Sequence, residues 1–260
     1  MSQRGELIFL GSGTSQGVPV IGCDCEVCMS KDIRDNRTRS SVHIQFAGLS
    51  LQIDTGPDFR TQMLREGLTH VDAVLFTHEH QDHVAGLDDV RPIIFRVRKE
   101  MALYGQQRVL DRIKKAFDYA FKAQPYPGAP SFTTTSIEAE LAFTINGVEV
   151  LPLGINHGNL PILGYRIGDI AYLTDVNDIP DEAMEQLSGL NYLILDALHR
   201  KEHYSHFNLT QAIEWATKIG ARHTYFIHMS HYMGKHEDVE KELPEGMQLS
   251  FDGLRIPVTI

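Results

Sequence analysis

Short apolar runs, each closed by a turn or a polar cluster, set the rhythm of this chain. Glu6 to Leu10 reads as a first strand. It feeds a glycine-rich turn, Gly11-Ser12-Gly13-Thr14-Ser15-Gln16-Gly17. No lysine and no evident helix follow, so a structural turn fits better than a phosphate cradle. Val42 to Phe46 and Leu49 to Ile53 read as a hairpin through Ala47-Gly48, ending at Asp54. Phe59 and Met63, spaced i, i+4, predict a helix over Asp58 to Glu66. Val71 to Phe76 is an apolar run that reads as a buried strand. Arg91 to Ala123 is basic, with helical spacing around Val109, Ile113, Ala116 and Phe117, and the proline-rich stretch Gln124 to Pro130 breaks it. Leu141 to Ile145 and Val148 to Leu153 predict a hairpin through Asn146-Gly147, a strong turn signal. Leu163 to Ile167 and Ile170 to Leu173 predict another through Gly168-Asp169. Tyr192 to Leu195 and Thr224 to Ile227 read as core strands, with an amphipathic helix over Leu209 to Ile219 between them.

The chemistry gathers where these runs stop. His78, His157, Asp175, Asp196 and His228 each stand just past an apolar strand. Loops at one edge of a sheet converge, and sites are built there on a rigid scaffold. The densest cluster is Thr77-His78-Glu79-His80-Gln81-Asp82-His83. His78 and His80 are two residues apart and can face one way on an extended chain. Asp82 and His83 follow at a turn and can face a second point. Imidazole and carboxylate ligands suit Zn²⁺, Mn²⁺ or Fe²⁺. The spacing suggests two metal ions side by side, one on His78 and His80, the other on Asp82 and His83. Asp54 either orients a metal-binding histidine from behind or caps a turn. His199, His203 and His206 follow the strand that ends at Asp196.

Cys23, Cys25 and Cys28 are the chain's 3 cysteines. Their C-x-C-x-x-C spacing can wrap one tetrahedral Zn²⁺ through three thiolates. The fourth ligand then has to be a histidine from elsewhere. An odd, clustered set of thiols is not a disulfide framework and fits a reducing cytoplasm. Asp32 to Arg39 is charged and expected at the surface.

At 260 residues and 42% hydrophobic, the chain can bury a large core. Its net charge of −10 argues against nucleic-acid or anionic-membrane binding. Bound metal would still admit an anionic substrate. No apolar stretch approaches the roughly 20 residues of a membrane span. Met1 to Glu6 is polar and runs straight into a strand, which argues against a signal peptide.

These motifs resemble the metallo-β-lactamase superfamily over nearly the whole chain. More narrowly, the chain is similar to PhnP-type phosphoribosyl cyclic phosphodiesterases. It shares with them the cysteine segment, Asn156-His157, Leu173-Thr174-Asp175, Ser205-His206-Phe207-Asn208-Leu209, His228-Met229-Ser230-His231 and Phe251-Asp252-Gly253. The resemblance implies an α/β (α+β) fold, a four-layer αβ/βα sandwich. The expected organisation is one domain over residues 1–260, with a zinc-binding loop at about 22–30. The stretch at about 91–130 carries no motif of that subfamily and reads either as a lid or specificity insert or as a plain surface helix and loop. The resemblance places one catalytic metal on His78, His80 and His157, and the other on Asp82, His83 and His228, with Asp175 bridging. His231 would complete a structural zinc site with Cys23, Cys25 and Cys28. His206 would be a catalytic histidine that holds no metal, acting with Asp82 and Asp175.

The implied activity is metal-dependent hydrolysis of a small phosphodiester, such as a phosphoribosyl 1,2-cyclic phosphate. Two divalent ions, Zn²⁺ or Mn²⁺, would lower the pKa of a shared water, and His206 would protonate the leaving oxygen. Two other readings share this metal set: a tRNA 3′-processing endonuclease of the tRNase Z kind, and a thioesterase of the glyoxalase II kind. The short insert and acidic charge stand against the first. A cytoplasmic homodimer completes the expectation.

Overall fold

Antiparallel hairpins followed by parallel crossovers organise both halves of the molecule. The computed structural model describes residues 4–46 and 48–259. The polar lead Met1 to Gln3 and Ala47 of the expected hairpin turn lie outside the described residues. The chain divides into two compact units, one of Met1–Leu10, Ser41–Glu138 and Arg255–Ile260, the other of Gly11–Ser40 and Ala139–Leu254.

The first unit carries a seven-stranded sheet in the order β14-β1-β2-β3-β4-β5-β6. These strands are β1 (Arg4–Gly11), β2 (Ser41–Phe46), β3 (Leu49–Ile53), β4 (Ala73–Leu75), β5 (Met101–Gly105), β6 (Phe132–Ser136) and β14 (Arg255–Thr259). β2 and β3 form the expected antiparallel hairpin, and β3 through β6 run parallel. β3 and β4 are buried along their full length: β4 is wholly apolar, while β3 buries Ser50 and Gln52 among its apolar residues. The helix Phe59–Arg65 puts Phe59 and Met63 into a core with Val74, Phe76, Leu103, Val109 and Ile113.

The second unit carries the other seven-stranded sheet, ordered β13-β12-β11-β10-β9-β8-β7. Its strands are β7 (Phe143–Ile145), β8 (Val148–His157), β9 (Leu160–Ile167), β10 (Ile170–Leu173), β11 (Tyr192–Asp196), β12 (His223–Ile227) and β13 (Met247–Leu249). β7 to β10 form an antiparallel meander, and β10 to β13 are parallel. Asn146 and Gly147 both take positive φ, 49° and 85°, as the tight turn of β7 and β8 requires. The helix Leu209–Ile219 starts on a capping box between Asn208 and Gln211 and stops at Gly220, φ 71°. Its apolar face packs Leu209, Ala212 and Ala216 against Leu193, Leu195 and Phe226. Both units are therefore mixed sheets flanked by helices, in line with the α+β expectation.

Two expectations need correction. The stretch 91–130 is not an insert throughout. It holds the helix Arg91–Val97, the interior strand β5 and the helix Gln107–Ala116. Only the segment past Ala116 fits an appendage, and it is tethered: Tyr119 Oη donates to Asp88, which also takes Arg91. β5 went unread because five residues alternating buried and half-buried sit beside strong helical spacing. Nor is Asp32 to Arg39 all surface: Asp35 and Arg37 are 2% and 5% exposed. Among the described residues no helix is long and apolar enough to cross a membrane.

Candidate functional site

The carboxyl ends of the strands carry the ionisable groups, as in open sheets with parallel strands generally. In the first unit Asp54 follows β3, and Thr77 to His83 follows β4. In the second, His157 ends β8, Asp175 lies just past β10, Asp196 ends β11, and His228 follows β12. Asp54, Asp175 and His228 take left-handed φ of 61°, 56° and 64°. Each such residue costs on the order of 1–3 kcal/mol, so three at strand ends mark places where aim outweighs local comfort.

In the first unit, the His83 Nδ1 lies 2.7 Å from Asp54 Oδ2. Asp54 also accepts from the backbone N–H and the hydroxyl of Thr77, at 2.9 and 2.8 Å. The alternative left open for Asp54 is thus decided: it holds a histidine from behind. Burial pushes its carboxyl above the usual range, against the pull of His83. His78 Nδ1 sits 3.0 Å from Thr77 Oγ1. The His78 ring lies 4.6 Å from that of His80 and 4.2 Å from that of His83, centroid to centroid. Asp82 Oδ2 is 3.2 Å from His83 Nε2. Glu79, between the ligand candidates, turns away to pair with Arg108.

In the second unit, His157 Nδ1 is held at 2.8 Å by the Ser205 carbonyl. His228 places Nδ1 3.5 Å from Asp196 Oδ1 and Nε2 3.2 Å from Asp175 Oδ1. Asp196 Oδ2 also holds His206 Nδ1 at 3.2 Å and accepts the Phe207 N–H at 3.1 Å. Burial, with Asp175 nearby, raises the Asp196 carboxyl well above the usual range, against the pull of His228. His157, Asp175 and His206 each offer a ligand atom within 4.8 Å of the others, and so do Asp196, His206 and His228. Asp196 is the group that sequence reasoning placed at a strand end without a role.

The fit to metal rests on a shared feature. His78, His83, His157 and His228 each have Nδ1 beside an oxygen of the fold, so Nε2 is the nitrogen a metal would meet. Ligating histidines are oriented in this way. The donor set of imidazole and carboxylate suits first-row divalent ions.

The cysteine site lies wholly in the second unit. His231 Nδ1 stands 3.3, 3.4 and 3.5 Å from the sulfurs of Cys23, Cys25 and Cys28. A tetrahedral Zn²⁺ with ordinary bond lengths needs about 3.6 Å between sulfur and nitrogen. These four groups fit it, and His231 is the histidine that thiol counting required. Behind the knuckle, buried Arg37 binds Ser12 Oγ at 3.0 Å, the Ser250 carbonyl at 2.6 Å and His236 Nδ1 at 3.1 Å. Asp252 accepts from the backbone N–H groups of Ser12 and Thr38. The glycine-rich turn is structural, as expected: a Cβ on Gly13 would sit 2.8 Å from Arg37.

Known proteins share this sequence and fold. A family model described as a β-lactamase superfamily domain matches residues 51–229. A crystal structure described as a new diphosphatase from the PhnP family superposes with a TM-score of 0.94 at 43% identity, covering 100% of this chain and 99% of that one. The Zn²⁺-bound PqqB of Methylobacterium extorquens shares the fold at a TM-score of 0.80 and 20% identity, over 96% of this chain and 99% of that one. A Porphyromonas gingivalis (strain ATCC BAA-308 / W83) protein named octanoyltransferase is 45% identical over 249 residues, 95% of this chain and 50% of its own length. The chain spans about half the length of the first curated relatives it matches. A family model over most of the chain and a PhnP-family structure matched end to end make this protein a member of the metallo-β-lactamase superfamily, in its PhnP family.

Proposed function

We propose that the protein hydrolyses a small phosphoric diester, with a cyclic sugar phosphate such as phosphoribosyl 1,2-cyclic phosphate as the favoured form. In this reading His78, His80 and His157 hold one divalent ion, Asp82, His83 and His228 hold a second, and Asp175 serves both. A zinc ion on Cys23, Cys25, Cys28 and His231 is structural. Divalent ions bound there would supply a water of lowered pKa and positive charge beside the phosphoryl oxygens. The observation that carries the reading is the pair Asp196–His206. A phosphodiester expels an alkoxide, which needs a proton, and the ligand sets named above leave His206 for that task. Its Nδ1 faces the Asp196 carboxylate, so the proton it can hand over is the one on Nε2. Asp196 fixes the ring through that contact.

A second reading is favoured by the PhnP-family neighbour described as a diphosphatase. A diphosphate bond would use the same groups, with a phosphate leaving in place of an alkoxide. Phosphate leaves without much help, so His206 would matter less there. One panel tests both: the metal-loaded protein with bis(p-nitrophenyl) phosphate, a cyclic ribose phosphate, a diphosphate ester and a thioester. Turnover on the cyclic phosphate above the others supports the first reading. Turnover confined to the diphosphate ester establishes the second, and turnover confined to the thioester rejects both.

A further inference from the structure

The hairpin of β2 and β3 buries three polar side chains that the chemistry assigned so far leaves without a task. Ser41, His43 and Gln52 are each 0% exposed. His43 and Gln52 stand directly opposite each other across the two strands. Ser41 is two residues from His43, so all three share one face. Burying a polar group is costly unless it is hydrogen-bonded, and three apolar residues could fill the same face. The bonds that these three make run toward Asp54, the buried carboxylate behind His83.

The Gln52 amide nitrogen donates to the Asp54 carbonyl at 2.8 Å and to Ser41 Oγ at 2.5 Å. The Ser41 hydroxyl lies 2.9 Å from the Ile53 carbonyl and 3.1 Å from that of Asp54. Carbonyls only accept, so the amide must turn its nitrogen toward them and its oxygen toward His43. That oxygen stands 3.0 Å from His43 Nδ1, which therefore carries the proton of the ring. Burial holds His43 down to about 4, so the ring is uncharged at neutral pH. The path from His43 through Gln52 to the Asp54 carbonyl thus runs in one direction only.

Asp54 needs such a hold. Its φ of 61° is a left-handed conformation that costs on the order of 1–3 kcal/mol and lasts only where neighbours impose it. Thr77 holds the carboxylate end, at 2.9 and 2.8 Å. Gln52 and Ser41 hold the other end, the backbone carbonyl. We propose that Gln52 is a positioning residue for the metal site: it locks the Asp54 backbone in its left-handed turn and so keeps the carboxylate aimed at His83 Nδ1. This rests on the reading of His83 as a metal ligand and is independent of the substrate. A peptide released at its carbonyl is free to relax to an ordinary conformation, and the 2.7 Å contact with His83 goes with it.

The test reads the metal and the ring separately. Zinc affinity of the histidine and aspartate ligands is measured by competition with a chelating dye, with the knuckle zinc in place. Gln52→Met keeps the bulk of the side chain and removes its donors. It should weaken zinc binding by a factor approaching the roughly 10- to 100-fold expected when a ligating histidine loses its partner. Ser41→Ala, a milder change, should act in the same direction with a smaller loss, and it carries the test where Gln52→Met does not fold. Because Gln52 acts through Asp54, adding Gln52→Met to Asp54→Ala should weaken binding no further. Nitrogen NMR of histidine-labelled protein carrying the knuckle zinc alone follows His83 Nδ1 directly. Its resonance should move in Gln52→Met in the direction that it moves in Asp54→Ala. Unchanged zinc affinity in folded Gln52→Met and Ser41→Ala overturns the proposal, as do losses that add in the double variant. A lowered melting temperature with the His83 resonance unmoved makes the network a support of the hairpin alone and also overturns it. If the wild type binds no zinc beyond the knuckle, the metal reading fails, and the His83 resonance by itself decides whether Gln52 aims Asp54.

Discussion

Each unit holds one fully buried carboxylate at the end of a strand, and the two are used differently. Asp54 in the first unit grips one histidine, His83, at 2.7 Å, along with both polar groups of Thr77. Asp196 in the second unit is shared between two, His206 at 3.2 Å and His228 at 3.5 Å. A carboxylate with one short contact fixes a ring for a single job. One divided between a candidate ligand and a candidate acid links orientation to proton transfer. The first unit therefore offers a rigid ligand platform, and the second carries the histidine proposed above as the proton donor.

The sharpest way to break that contrast is at His206. His206→Ala should keep metal content and lower turnover by about 10²–10⁴-fold on a diester with a poor leaving group. The loss should shrink on bis(p-nitrophenyl) phosphate, whose leaving group needs little protonation. Steady-state kinetics on both substrates check this, and equal losses would make His206 a positioning group. The knuckle comes next. Cys25→Ser should release one zinc per chain, read by metal analysis, and lower the melting temperature by on the order of 10 °C, at a few degrees per kcal/mol. An unchanged melting temperature with lost turnover would reject a structural role.

Asp54→Ala tests the platform directly. Removing the partner of a ligating histidine typically weakens metal binding by about 10–100-fold. The same change at Asp196 should weaken metal binding similarly and cut turnover further at saturating metal. If the two variants behave alike under saturating metal, the division of labour between the units fails.

The smallest effect concerns two buried histidines, one per unit. Burial holds His43, beside Gln52 at 3.0 Å, down to about 4. Burial, then the Arg37 guanidinium, holds His236 down to about 4. An unfolded histidine takes its proton near pH 6.5 and these do so only near 4. The unfolded chain therefore binds more protons between those values, and stability falls as pH drops through that window. Each should contribute about 1 kcal/mol of lost stability between pH 7 and pH 5.5. Urea melts at the two pH values should show that loss reduced in His43→Gln and in His236→Gln.

Much of this was legible without coordinates, and for local reasons. The motif from His78 to His83 and the cysteines at 23, 25 and 28 declare their chemistry by spacing, because their members are fixed to one another by a few backbone bonds. The hairpins at Gly48, Asn146-Gly147 and Gly168-Asp169 follow from turn residues and from strands buried enough to read as apolar. β5 and β6 were not legible. β5 is short and sits beside a strongly helical pattern, and β6 is Phe-Thr-Thr-Thr-Ser at a sheet edge with little burial.

What the sequence alone determined was the residue types, their clustering at strand ends and the family they belong to. Only the tertiary structure decided which oxygen stands behind which imidazole. Asp54 and His83 are 29 positions apart, and Asp196 and His228 come from different strands. The same holds for Arg37, whose charge reads as surface until Ser12, Ser250 and His236 surround it. Such pairings depend on strand order and on left-handed turns at Asp54, Asp175 and His228. Periodicity records which face of an element is apolar, and it carries no information on which distant strand will lie beside it.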